Sequence, residues 1–494
     1  MLISDSIRER ARTKIVATIG PASSDPEMLR YLVKAGVDVF RLNMAHGDPD
    51  VQQVHVDNIR RISEELDRPI ALLADLAGPK MRLGDVPDDR IFCETDAEYF
   101  FVDGEHAGAP NELTSTYKPL TRELSVGDSV MLADGTVSMI VVEKLKGRVR
   151  CRVQQRGVIR SRQGINLPGV KLSVPAISVT DHEHALWAAQ AGVDFVSLSF
   201  VRAPDEVRAL RDIVRSAGSE ASIIAKIEKR EALDRLDEIV QAADGIMVAR
   251  GDLGVEIDVA QMPVEQKRVI NTCHKYHRPV IVATQMLDSM HDSLRPKRSE
   301  VTDVANAILD GGDACMLSGE TAIGKYPLET VQMMSRIALA TEASIADRPP
   351  RREDFSVTRK LTQITQAVVH GAGDMAYALK AKLLVVATHS GGTALALSQQ
   401  RSFVPTIGVS QNESTLRKMC LYWGVTPLRG APASDQRELI RHADEWACQV
   451  GYAQKGDRIV IVGGSHLTAG PDAEDMAGGV HDVVIVHEVE GVAA

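Results

Sequence analysis

The sequence predicts an α/β protein: a (β/α)8 TIM barrel with an all-β lid domain inserted after strand three and a C-terminal open α/β domain. Three observations predict this fold. Eight short, apolar, β-branched runs alternate with helix-compatible stretches over residues 14–320, which is typical of parallel strands buried on both faces. More than a hundred residues with short strands and turns separate the third run from the fourth. A further set of strand-like runs follows residue 357.

The eight runs define the barrel strands in chain order. They are KIVATIG (14–20), VDVFRLN (37–43), IALLADL (70–76), DFVSLSF (194–200), SIIAKIE (222–228), GIMVAR (245–250), PVIVAT (279–284) and ACMLSGE (314–320). Strands of this kind joined by helices are expected to pair in parallel, and eight of them match a closed barrel.

The inserted segment has a different pattern, with short strands and turns at LADGTV (132–137), VEKLKGRVRCRV (142–153) and NLPG (166–169). This predicts a separate β domain. The division we predict is therefore a barrel over 1–78 and 173–346, a lid over 79–172, and a C-terminal regulatory domain over 357–494.

The C-terminal domain follows a polar, proline-bearing stretch, DRPPRREDFS (347–356), which we interpret as a linker. Its strands are expected in KLLVVATHSGG, VPTIGVS, VTPLRG, DRIVIVGG and DVVIVHEV. One large doubly wound sheet is the alternative, but the composition changes in three steps along the chain, which favours separate domains.

Composition and charge exclude several classes of protein. The net charge of −10 argues against a broad nucleic-acid-binding surface, so we expect no nucleic-acid partner. There is no apolar run of roughly 18 residues, and the first residues are charged where a signal peptide needs an apolar core, so we expect a cytoplasmic protein with no membrane partner. The six cysteines include no CxxC pair, which indicates neither a zinc site nor a disulfide framework.

Polar side chains end most of the predicted barrel strands, where the active site of such a barrel lies. They are Arg41, Asn43, Asp75, Lys226, Glu228, Arg250, Asp252, Thr284, Gln285, Ser318 and Glu320. Because side chains alternate along a strand, Arg41 and Asn43 share one face, as do Lys226 and Glu228. Two cations and a carboxylate are therefore expected to converge at the barrel mouth.

These charged groups indicate metal-assisted chemistry, because charges are costly to bury unless they are paired or bound to metal. Glu228 and Asp252, on neighbouring strands, suit Mg²⁺ with open positions for substrate oxygens. Lys226 would stabilise negative charge on a substrate oxygen or a transferring phosphoryl group. Inter-strand ion pairs are the structural alternative and would explain one or two of the residues. The pattern indicates a phosphorylated, enolisable acid as substrate, but it does not choose among enolate-forming enzymes.

Six long stretches carry a family resemblance. They are TKIVATIGPAS (13–23), FRLNMAHG (40–47), IIAKIE (223–228), GIMVARGDLGVE (245–256), PVIVATQMLDSM (279–290) and RPKRSEVTDVANAILDGGDACMLSGETAIGKYP (295–327). They resemble the pyruvate kinase family. The resemblance implies Mg²⁺-dependent phosphoryl transfer from phosphoenolpyruvate to ADP in glycolysis, giving pyruvate and ATP, with Mn²⁺ as an alternative ion. It also implies an allosteric homotetramer whose lid closes over the barrel.

The resemblance further implies a role for each matching residue. Lys226 would contact the transferring phosphoryl group and the enolate oxygen, and Glu228 and Asp252 would hold the Mg²⁺. Thr284, with Ser318, would deliver the proton that converts enolpyruvate into pyruvate. The main chain that would bind the substrate carboxylate comprises Ala249, Arg250, Gly251 and Asp252.

Other matching positions are implied to bind the phosphates and the nucleotide. Arg41 and Arg82 would neutralise phosphate charge. Those that would border the nucleotide are Pro21, Asn43, His46 and the lid aspartate Asp134. Many relatives have lysine where this chain has Gln163, so we expect a weaker contact between lid and phosphates unless Arg160 or Arg162 replaces it.

The stretch LLADLAGPKMRLG (72–84) contains a lysine that departs from the family's potassium site. Relatives that need K⁺ bind it through an Asn, a Ser, an Asp and a carbonyl, with a Glu a few residues onward. This chain keeps Asn43 and Asp75, but Ala45 stands at the serine position and Lys80 at the glutamate position. A lysine ammonium beside Asp75 would supply the charge that K⁺ supplies elsewhere, so we predict activity without added K⁺. A solvated hinge lysine is the alternative.

The C-terminal stretch VVATHSGGTA (385–394) places small and hydroxyl residues between a strand and a helix start, an arrangement that binds phosphate. The resemblance implies an effector pocket formed by Thr388, Ser390, Gly391 and Thr393. The companion loop GGSHLTAGPDAEDMAG (463–478) has no Lys or Arg, which favours a sugar monophosphate or AMP over a bisphosphate. An ordinary strand-to-helix turn is the alternative.

Two other functions are open at this stage. One is an enolate-forming lyase or aldolase that acts on pyruvate with the same metal carboxylates. The other is a non-catalytic sensor whose C-terminal pocket binds a sugar phosphate. ATP formation would distinguish the kinase from the lyase, and loss of turnover in a Lys226→Met variant would distinguish it from the sensor.

Overall fold

The barrel predicted from the eight runs is present in the computed structural model, which describes residues 10–45, 48–133, 135–347, 363–431, 435–464 and 482–491. Eight parallel strands pair in chain order and close into a barrel. They are called barrel strands 1 to 8 below and comprise Lys14–Thr18, Val37–Asn43, Ala71–Asp75, Phe195–Leu198, Ser222–Ile227, Gly245–Ala249, Val280–Ala283 and Ala314–Leu317. Most of their residues are buried, as expected for strands covered on both faces.

Helices cover the outside of the barrel and also follow several strand ends. The α-helices are Pro26–Ala35, Pro49–Glu65, Val179–Gln190, Pro204–Ser216, Arg230–Asp234, Leu236–Ala242, Arg250–Glu256, Met262–Lys275, Arg298–Leu309, Gly319–Ala322 and Pro327–Ala343, with short 3₁₀ helices at Val259–Gln261 and Asp288–His291. The first helix shows why they form where they do. The Asp25 side chain accepts hydrogen bonds from the first-turn N–H groups, Pro26 opens the helix, and Gly36 ends it at φ 127°.

The lid lies between barrel strands 3 and 4 and has its own apolar core, in which Phe101 and Leu132 are fully buried. A six-stranded and a two-stranded sheet form it. The strands are Ile91–Cys93, Glu98–Val102, Glu112–Leu113, Ser129–Leu132, Val137–Leu145, Arg148–Gln155, Gly157–Ile159 and Ile165–Asn166, with a short helix at Leu120–Glu123 and a 3₁₀ turn at Pro87–Asp89. The lid is thus β-rich as predicted, and the exact domain bounds stay a prediction.

The lid joins the barrel through a hinge built on Gly78, whose φ of +69° favours glycine. A Cβ atom at this position would lie 2.8 Å from the Phe200 ring and 3.0 Å from the Ser199 Cβ. The first lid-side strand contact follows at once, since Arg82 pairs with Gly164 as an isolated β-bridge. The hinge therefore packs directly on the end of barrel strand 4.

The C-terminal part is an open five-stranded α/β sheet, as predicted, whose last strand runs antiparallel to its neighbour. Its strands are Leu383–Ala387, Thr406–Val409, Val425–Leu428, Arg458–Gly463 and Val483–Glu488, and its helices are Gln363–Ala378, Gly392–Gln399, Glu413–Met419 and Gln436–Gln449. Among the described residues, three ion pairs connect it to the barrel: Arg401 with Asp313 at 2.9 Å, Arg417 with Asp194 at 2.6 Å, and Arg429 with Asp67 at 3.8 Å. Most of the expected linker, from residue 348 onward, lies outside the described residues.

Two expectations from composition can be compared with the described residues. None of the helices placed there is both long and apolar enough to cross a membrane. All six cysteines are free thiols; five are buried and Cys448 is partly exposed. Burial raises the pKa of Cys151 and Cys315 to about 12, so these thiols stay protonated at neutral pH.

Candidate active site

A chain of alternating charges crosses the barrel mouth at the ends of strands 2, 3 and 5. The Arg41 guanidinium pairs with Asp75 Oδ2 at 2.6 Å, and Lys226 Nζ lies 3.5 Å from Asp75 Oδ1. Lys226 Nζ also pairs with Glu228 Oε1 at 2.8 Å. Asp75 and Glu228 are almost completely buried, so each carboxylate depends on its cation. The structure brings together the two cations and the carboxylate that the sequence predicts at the barrel mouth, and it adds Asp75 between the cations.

Burial and charge shift the ionisation of the three inner groups. Burial alone would raise the pKa of Asp75, but Lys226 and Arg41 outweigh it and the net shift is downward. Burial alone would lower the pKa of Lys226, but Asp75 and Glu228 more than compensate and raise it. The pKa of Glu228 is raised by burial and by the Asp252 charge, against the opposing effect of Lys226. Lys226 is therefore a fixed cation, suited to stabilising an oxyanion rather than to transferring a proton.

Barrel strand 4 contributes partners that the sequence analysis did not single out. The Ser197 hydroxyl donates to Asp75 Oδ1 at 2.5 Å, and the Ser199 hydroxyl accepts from Lys226 Nζ at 2.8 Å. The Phe200 N–H donates to Glu228 Oε2 at 2.6 Å. The signal that could have revealed the two serines is their alternation within an otherwise apolar, buried strand, which places both hydroxyls on one face.

Asp252 supplies the second carboxylate expected at a divalent ion. It lies in the first turn of the helix Arg250–Glu256, which begins directly after barrel strand 6. Within the described part of the chain its carboxylate accepts no hydrogen bond and forms no ion pair, although its charge raises the pKa of Glu228. The described residues contain no group of three or more His, Cys, Asp or Glu side chains placed to hold a metal ion. A carboxylate without a partner in the described residues, beside the buried Glu228, fits Mg²⁺, which takes most of its oxygens from water and substrate.

The strand 6 and strand 7 ends are connected around Thr284, whose φ of +68° is unusual for a β-branched residue. Its hydroxyl donates to Ala283 O at 2.6 Å and accepts from the Gly251 N–H at 2.8 Å. The Arg250 side chain turns away into the barrel wall, where it pairs with Asp303 at 2.7 Å and donates to Thr284 O. Its guanidinium thus supports the loop, which is consistent with a substrate contact through the main chain only.

The remaining predicted site residues lie around this mouth or in the lid. Ser318 ends strand 8, and its N–H donates to Glu320 Oε2 at 2.7 Å. Pro21 is exposed at the end of strand 1, and Asn43 Oδ1 accepts from the Ala45 N–H at 3.2 Å. In the lid, Arg82 donates to Arg162 O at 3.1 Å.

The three further residues named in the prediction are Gln163, His46 and Asp134. The Gln163 side chain turns back to accept from the Arg160 N–H at 2.6 Å, so its amide oxygen is used within the lid. The two nucleotide residues His46 and Asp134 lie outside the described residues.

Lys80, which we predict to act beside Asp75, is not among the ion-pair partners of Asp75 in the described residues. The partners of Asp75 are Arg41, Ser197 and Lys226. Lys80 is exposed on the lid side of the hinge, and its Cε lies 3.6 Å from where a Cβ on Gly164 would be. It lines a cavity between lid and barrel that Asp252 also lines. The Lys80 side chain therefore borders the same cleft as Asp252.

The predicted effector segment begins at the end of strand Leu383–Ala387. The Thr388 hydroxyl accepts from the Gly391 N–H at 3.0 Å, and Gly391, at φ 89°, caps the helix Gly392–Gln399. Ser390 is exposed and Thr393 is partly buried. The companion loop lies outside the described residues beyond residue 464, including its three acidic residues.

Comparison with known proteins identifies the family to which this geometry belongs. A family profile for the barrel domain of pyruvate kinase matches residues 10–331, and one for the alpha/beta domain of pyruvate kinase matches residues 366–474. The chain belongs to the pyruvate kinase family. Its members are glycolytic phosphotransferases, and the sequence prediction of the enzyme class is confirmed.

Individual pyruvate kinases support this membership along most of the chain. The pyruvate kinase of Staphylococcus haemolyticus is 39% identical over 464 residues, which cover 92% of this chain and 78% of that protein. The pyruvate kinase of Staphylococcus aureus strain MRSA252 is 38% identical, with coverage of 92% and 77%. The crystal structure of a pyruvate kinase from Cryptosporidium parvum superimposes with a TM-score of 0.88 at 30% identity, covering 98% of this chain and 97% of that one. Family membership implies phosphoenolpyruvate and ADP as substrates and pyruvate as a product.

Proposed function

We propose that this enzyme transfers a phosphoryl group from phosphoenolpyruvate to ADP in a Mg²⁺-dependent reaction that needs no added K⁺. The observation that supports the chemistry is the buried Arg41–Asp75–Lys226–Glu228 chain beside the unpaired Asp252 carboxylate. Two cations lie at the site, and Glu228 and Asp252 are the carboxylates proposed to bind one divalent ion. This is the charge distribution needed to receive a phosphorylated carboxylic acid.

In this proposal the groups at the barrel mouth have separate roles. Glu228 and Asp252 would hold Mg²⁺, or Mn²⁺ as the alternative, and the bound ion would neutralise charge on the phosphoryl and carboxylate oxygens. Arg41 would bind the phosphate, and Lys226 Nζ would stabilise the transferring phosphoryl group and then the enolate oxygen. The Gly251–Asp252 main chain at the helix start would orient the carboxylate.

The proton that completes pyruvate reaches the enol carbon on the face where Thr284 lies. The left-handed Thr284 backbone, held by Gly251 and Arg250, fixes the direction of its hydroxyl. Ser318, at the neighbouring strand end, would share the water that supplies this proton. Thr284→Ala should therefore slow enolpyruvate protonation more than it slows phosphoryl transfer.

The test of this function is simultaneous measurement of pyruvate and ATP from phosphoenolpyruvate and ADP with Mg²⁺. We expect stoichiometric products from the wild-type enzyme, and we expect Lys226→Met to lower kcat by about 10²- to 10³-fold because a preorganised charge at the transition state is lost. Pyruvate without ATP would indicate a lyase. Normal turnover in Lys226→Met would show that its assigned role is wrong.

The proposal of K⁺ independence rests on the residues around the expected ion. Ala45 offers no hydroxyl, Asn43 Oδ1 is engaged by the Ala45 N–H, and both Asp75 oxygens are engaged by cations or Ser197. Lys80 places a monovalent ammonium on the adjoining cleft. We propose that lid closure brings this ammonium to the phosphates, where it provides the charge of K⁺.

Activity should be compared in tetramethylammonium buffer before and after addition of KCl at matched ionic strength. We expect the wild-type enzyme to be fully active without K⁺ and Lys80→Met to lose about tenfold or more, consistent with about 1.4 kcal/mol per tenfold change in rate. The variant Lys118→Met, at an exposed lysine of the lid, is the control and should behave as wild type. Wild-type activity that appears only with K⁺ would keep the kinase function and overturn the role of Lys80.

The C-terminal segment is also given a proposed role. The segment from Thr388 to Thr393 would bind the phosphate of a sugar monophosphate or AMP, supported by the Gly391 cap and the exposed Ser390 hydroxyl. The homotetramer and the cytoplasmic location stay predictions from the family resemblance.

A further inference from the structure

A second buried ion pair lies behind the candidate metal site and is not used by the reaction described above. Lys229 Nζ pairs with Glu256 Oε1 at 2.5 Å, with side chains 9% and 1% exposed. The exposure matters because a pair this deeply buried is rigid and costly to break from one side. Lys229 directly follows Glu228, and Glu256 is the last residue of the helix that carries Asp252. The pair therefore ties together the two segments that supply the two carboxylates.

We propose that the Lys229–Glu256 pair is a positioning pair that sets the separation of Glu228 and Asp252 and thereby the affinity for the divalent ion. The inference rests on the proposed function only in taking Glu228 and Asp252 as the ligands of the ion. Lys229 lines the cleft that Asp252 also lines, but neither Lys229 nor Glu256 is taken as a ligand of the ion. They act through the chain segments on which the two carboxylates are built.

The first argument is geometric. The segment after barrel strand 5 and the helix Arg250–Glu256 each follow directly on one of two neighbouring strands. These two strands pair only as far as Ile227 and Val248. Beyond that point no strand hydrogen bond joins them, and Glu228 and Asp252 both lie beyond it. The Lys229–Glu256 ion pair joins these two segments beyond the point where strand pairing ends.

The second argument comes from what surrounds Lys229. Its Nζ lies 6.0 Å from the centre of the Phe200 ring, and the Phe200 N–H donates to Glu228 Oε2 at 2.6 Å. Phe200 itself is in the left-handed region, at φ 54°. Lys229 thus contacts both the partner of one carboxylate and the helix of the other. A shift of its ammonium would move the N–H that fixes Glu228 as well as the helix that fixes Asp252.

The opposite charges of Lys229 and Glu256 allow a positioning role to be distinguished from a direct electrostatic effect on ion binding. Glu256 Oε2 has no hydrogen-bond partner among the described residues, and burial raises the pKa of Glu256 while Asp252 and Glu231 contribute in the same direction. Lys229 is a cation near the ion, so simple Coulomb reasoning says that removing it strengthens cation binding, whereas removing the Glu256 charge weakens it. A positioning role predicts instead that both changes weaken binding.

The experiment measures binding of Mn²⁺ alone to the full-length enzyme without substrates, from the electron paramagnetic resonance signal of the free ion. We expect Lys229→Met and Glu256→Gln each to weaken Mn²⁺ binding by about tenfold to a hundredfold, the usual effect of losing an outer partner of a metal ligand. Lys229→Arg, which can keep the ion pair, should lie within about threefold of wild type.

The matched control is Arg211→Met. The Arg211–Asp244 pair is also 2.5 Å long and lies at the opposite ends of the same strands, since the Asp244 carboxylate accepts from the Ile223 N–H as well. We expect this variant to lose thermal stability and keep wild-type Mn²⁺ affinity. If it loses affinity as well, the effect is general loosening of the barrel and the inference is wrong.

The outcomes separate this inference from the proposed function. Tighter or unchanged Mn²⁺ binding in folded Lys229→Met overturns the positioning role while leaving the kinase function standing, and absent pyruvate formation in the wild type overturns the function whatever the Mn²⁺ result. Should Lys229→Met fail to fold, the double variant Lys229→Met with Glu256→Met keeps the net charge and avoids an unpaired buried ion. Wild-type Mn²⁺ affinity in that variant would equally overturn the inference, and weakened affinity would support it.

Discussion

At the scale of single residues, the site depends on Asp75, a carboxylate held between two cations. Its oxygens bind Arg41, Lys226 and Ser197, and none of its charge faces solvent. It holds the proposed catalytic Lys226 and the proposed phosphate-binding Arg41, which repel each other, close together at the barrel mouth. Removing the negative charge therefore affects both the fold and the site.

We predict that Asp75→Asn lowers the free energy of unfolding by ~3–5 kcal/mol at pH 7, the usual cost of breaking a buried pair from one side. The pKa of Asp75 is lowered in the folded state, so its contribution is present above the unfolded pKa of about 3.9 and is lost as the pH falls through the folded value. The difference between wild type and variant, measured by thermal unfolding from pH 7 to pH 3.5, should thus shrink only below about pH 4.

A suitable control is Asp237→Asn, because Asp237 pairs with Lys275 on the surface and its loss should cost less than ~1 kcal/mol. If the Asp75→Asn difference already disappears between pH 7 and pH 5, the downward shift of the Asp75 pKa is contradicted.

The residues of the site were predictable to different degrees. Arg41, Lys226, Glu228 and Asp252 could be found because charged groups at the ends of apolar runs have few structural explanations. Ser197 and Ser199 were missed because a hydroxyl in a buried strand is common and its partner, on another strand, is set only when the barrel closes. The role of Lys80 stays a prediction, because the sequence does not show that its side chain lines the cavity between lid and barrel.

At the scale of elements, the lid hinge and the end of barrel strand 4 form one packed unit. Gly78 lies against Phe200 and Ser199, and these two residues contact Glu228 and Lys226 respectively. The Ser199 hydroxyl also donates to Leu76 O at 2.7 Å, within the hinge. The residues that pack against the lid hinge are therefore the same residues that contact the charged site.

We predict that Gly78→Ala lowers both stability and activity. The left-handed backbone alone costs ~1–2 kcal/mol for alanine, and the new Cβ would lie 2.8 Å from the Phe200 ring, which must move. A displaced Phe200 N–H misaligns Glu228, and a 1 Å error at such a group costs about a hundredfold in rate. Thermal unfolding and kcat report the two effects.

Gly169→Ala is the matched control, because Gly169 also has a positive φ, +74°, but a Cβ there would meet nothing within 4 Å. It should show the backbone cost and keep its kcat. Equal kcat values for the two variants would mean that the packing of the hinge on Phe200 does not reach the site.

At the scale of the whole molecule, the sequence could predict the parts better than their contacts. The barrel and the C-terminal sheet follow from runs of local apolar residues, and both are confirmed. The contacts between them join residues far apart in the chain, such as Arg417 with Asp194, and no local pattern indicates such a pair. Likewise, Lys229 and Glu256 are 27 positions apart and become neighbours only because two barrel strands lie side by side.

The contact with the greatest consequence joins Arg401 to Asp313 beneath the barrel. Asp313 is fully buried and precedes strand 8, and its other carboxylate oxygen accepts from the Val280 N–H at 2.8 Å, at the start of strand 7. Those two strands end at Thr284 and Ser318. Arg401 follows the helix Gly392–Gln399, whose other end is the predicted effector segment. A continuous path of helix, ion pair and strands thus runs from that segment to the proposed proton-delivering residues.

We predict that Arg401→Met destabilises the protein by ~3–5 kcal/mol, because burial already raises the pKa of Asp313 and the arginine is its ion-pair partner across the interface. Arg417→Met, at a second interface pair, should cost less, since Asp194 keeps Arg60 at 2.9 Å and the Leu72 N–H at 2.8 Å. Thermal unfolding of both variants tests the difference. Because Asp313 anchors strands 7 and 8, kcat should fall in Arg401→Met and stay near wild type in Arg417→Met. Equal losses of kcat in the two variants would show that the loss of the Arg401–Asp313 pair at the base of the barrel does not affect its mouth.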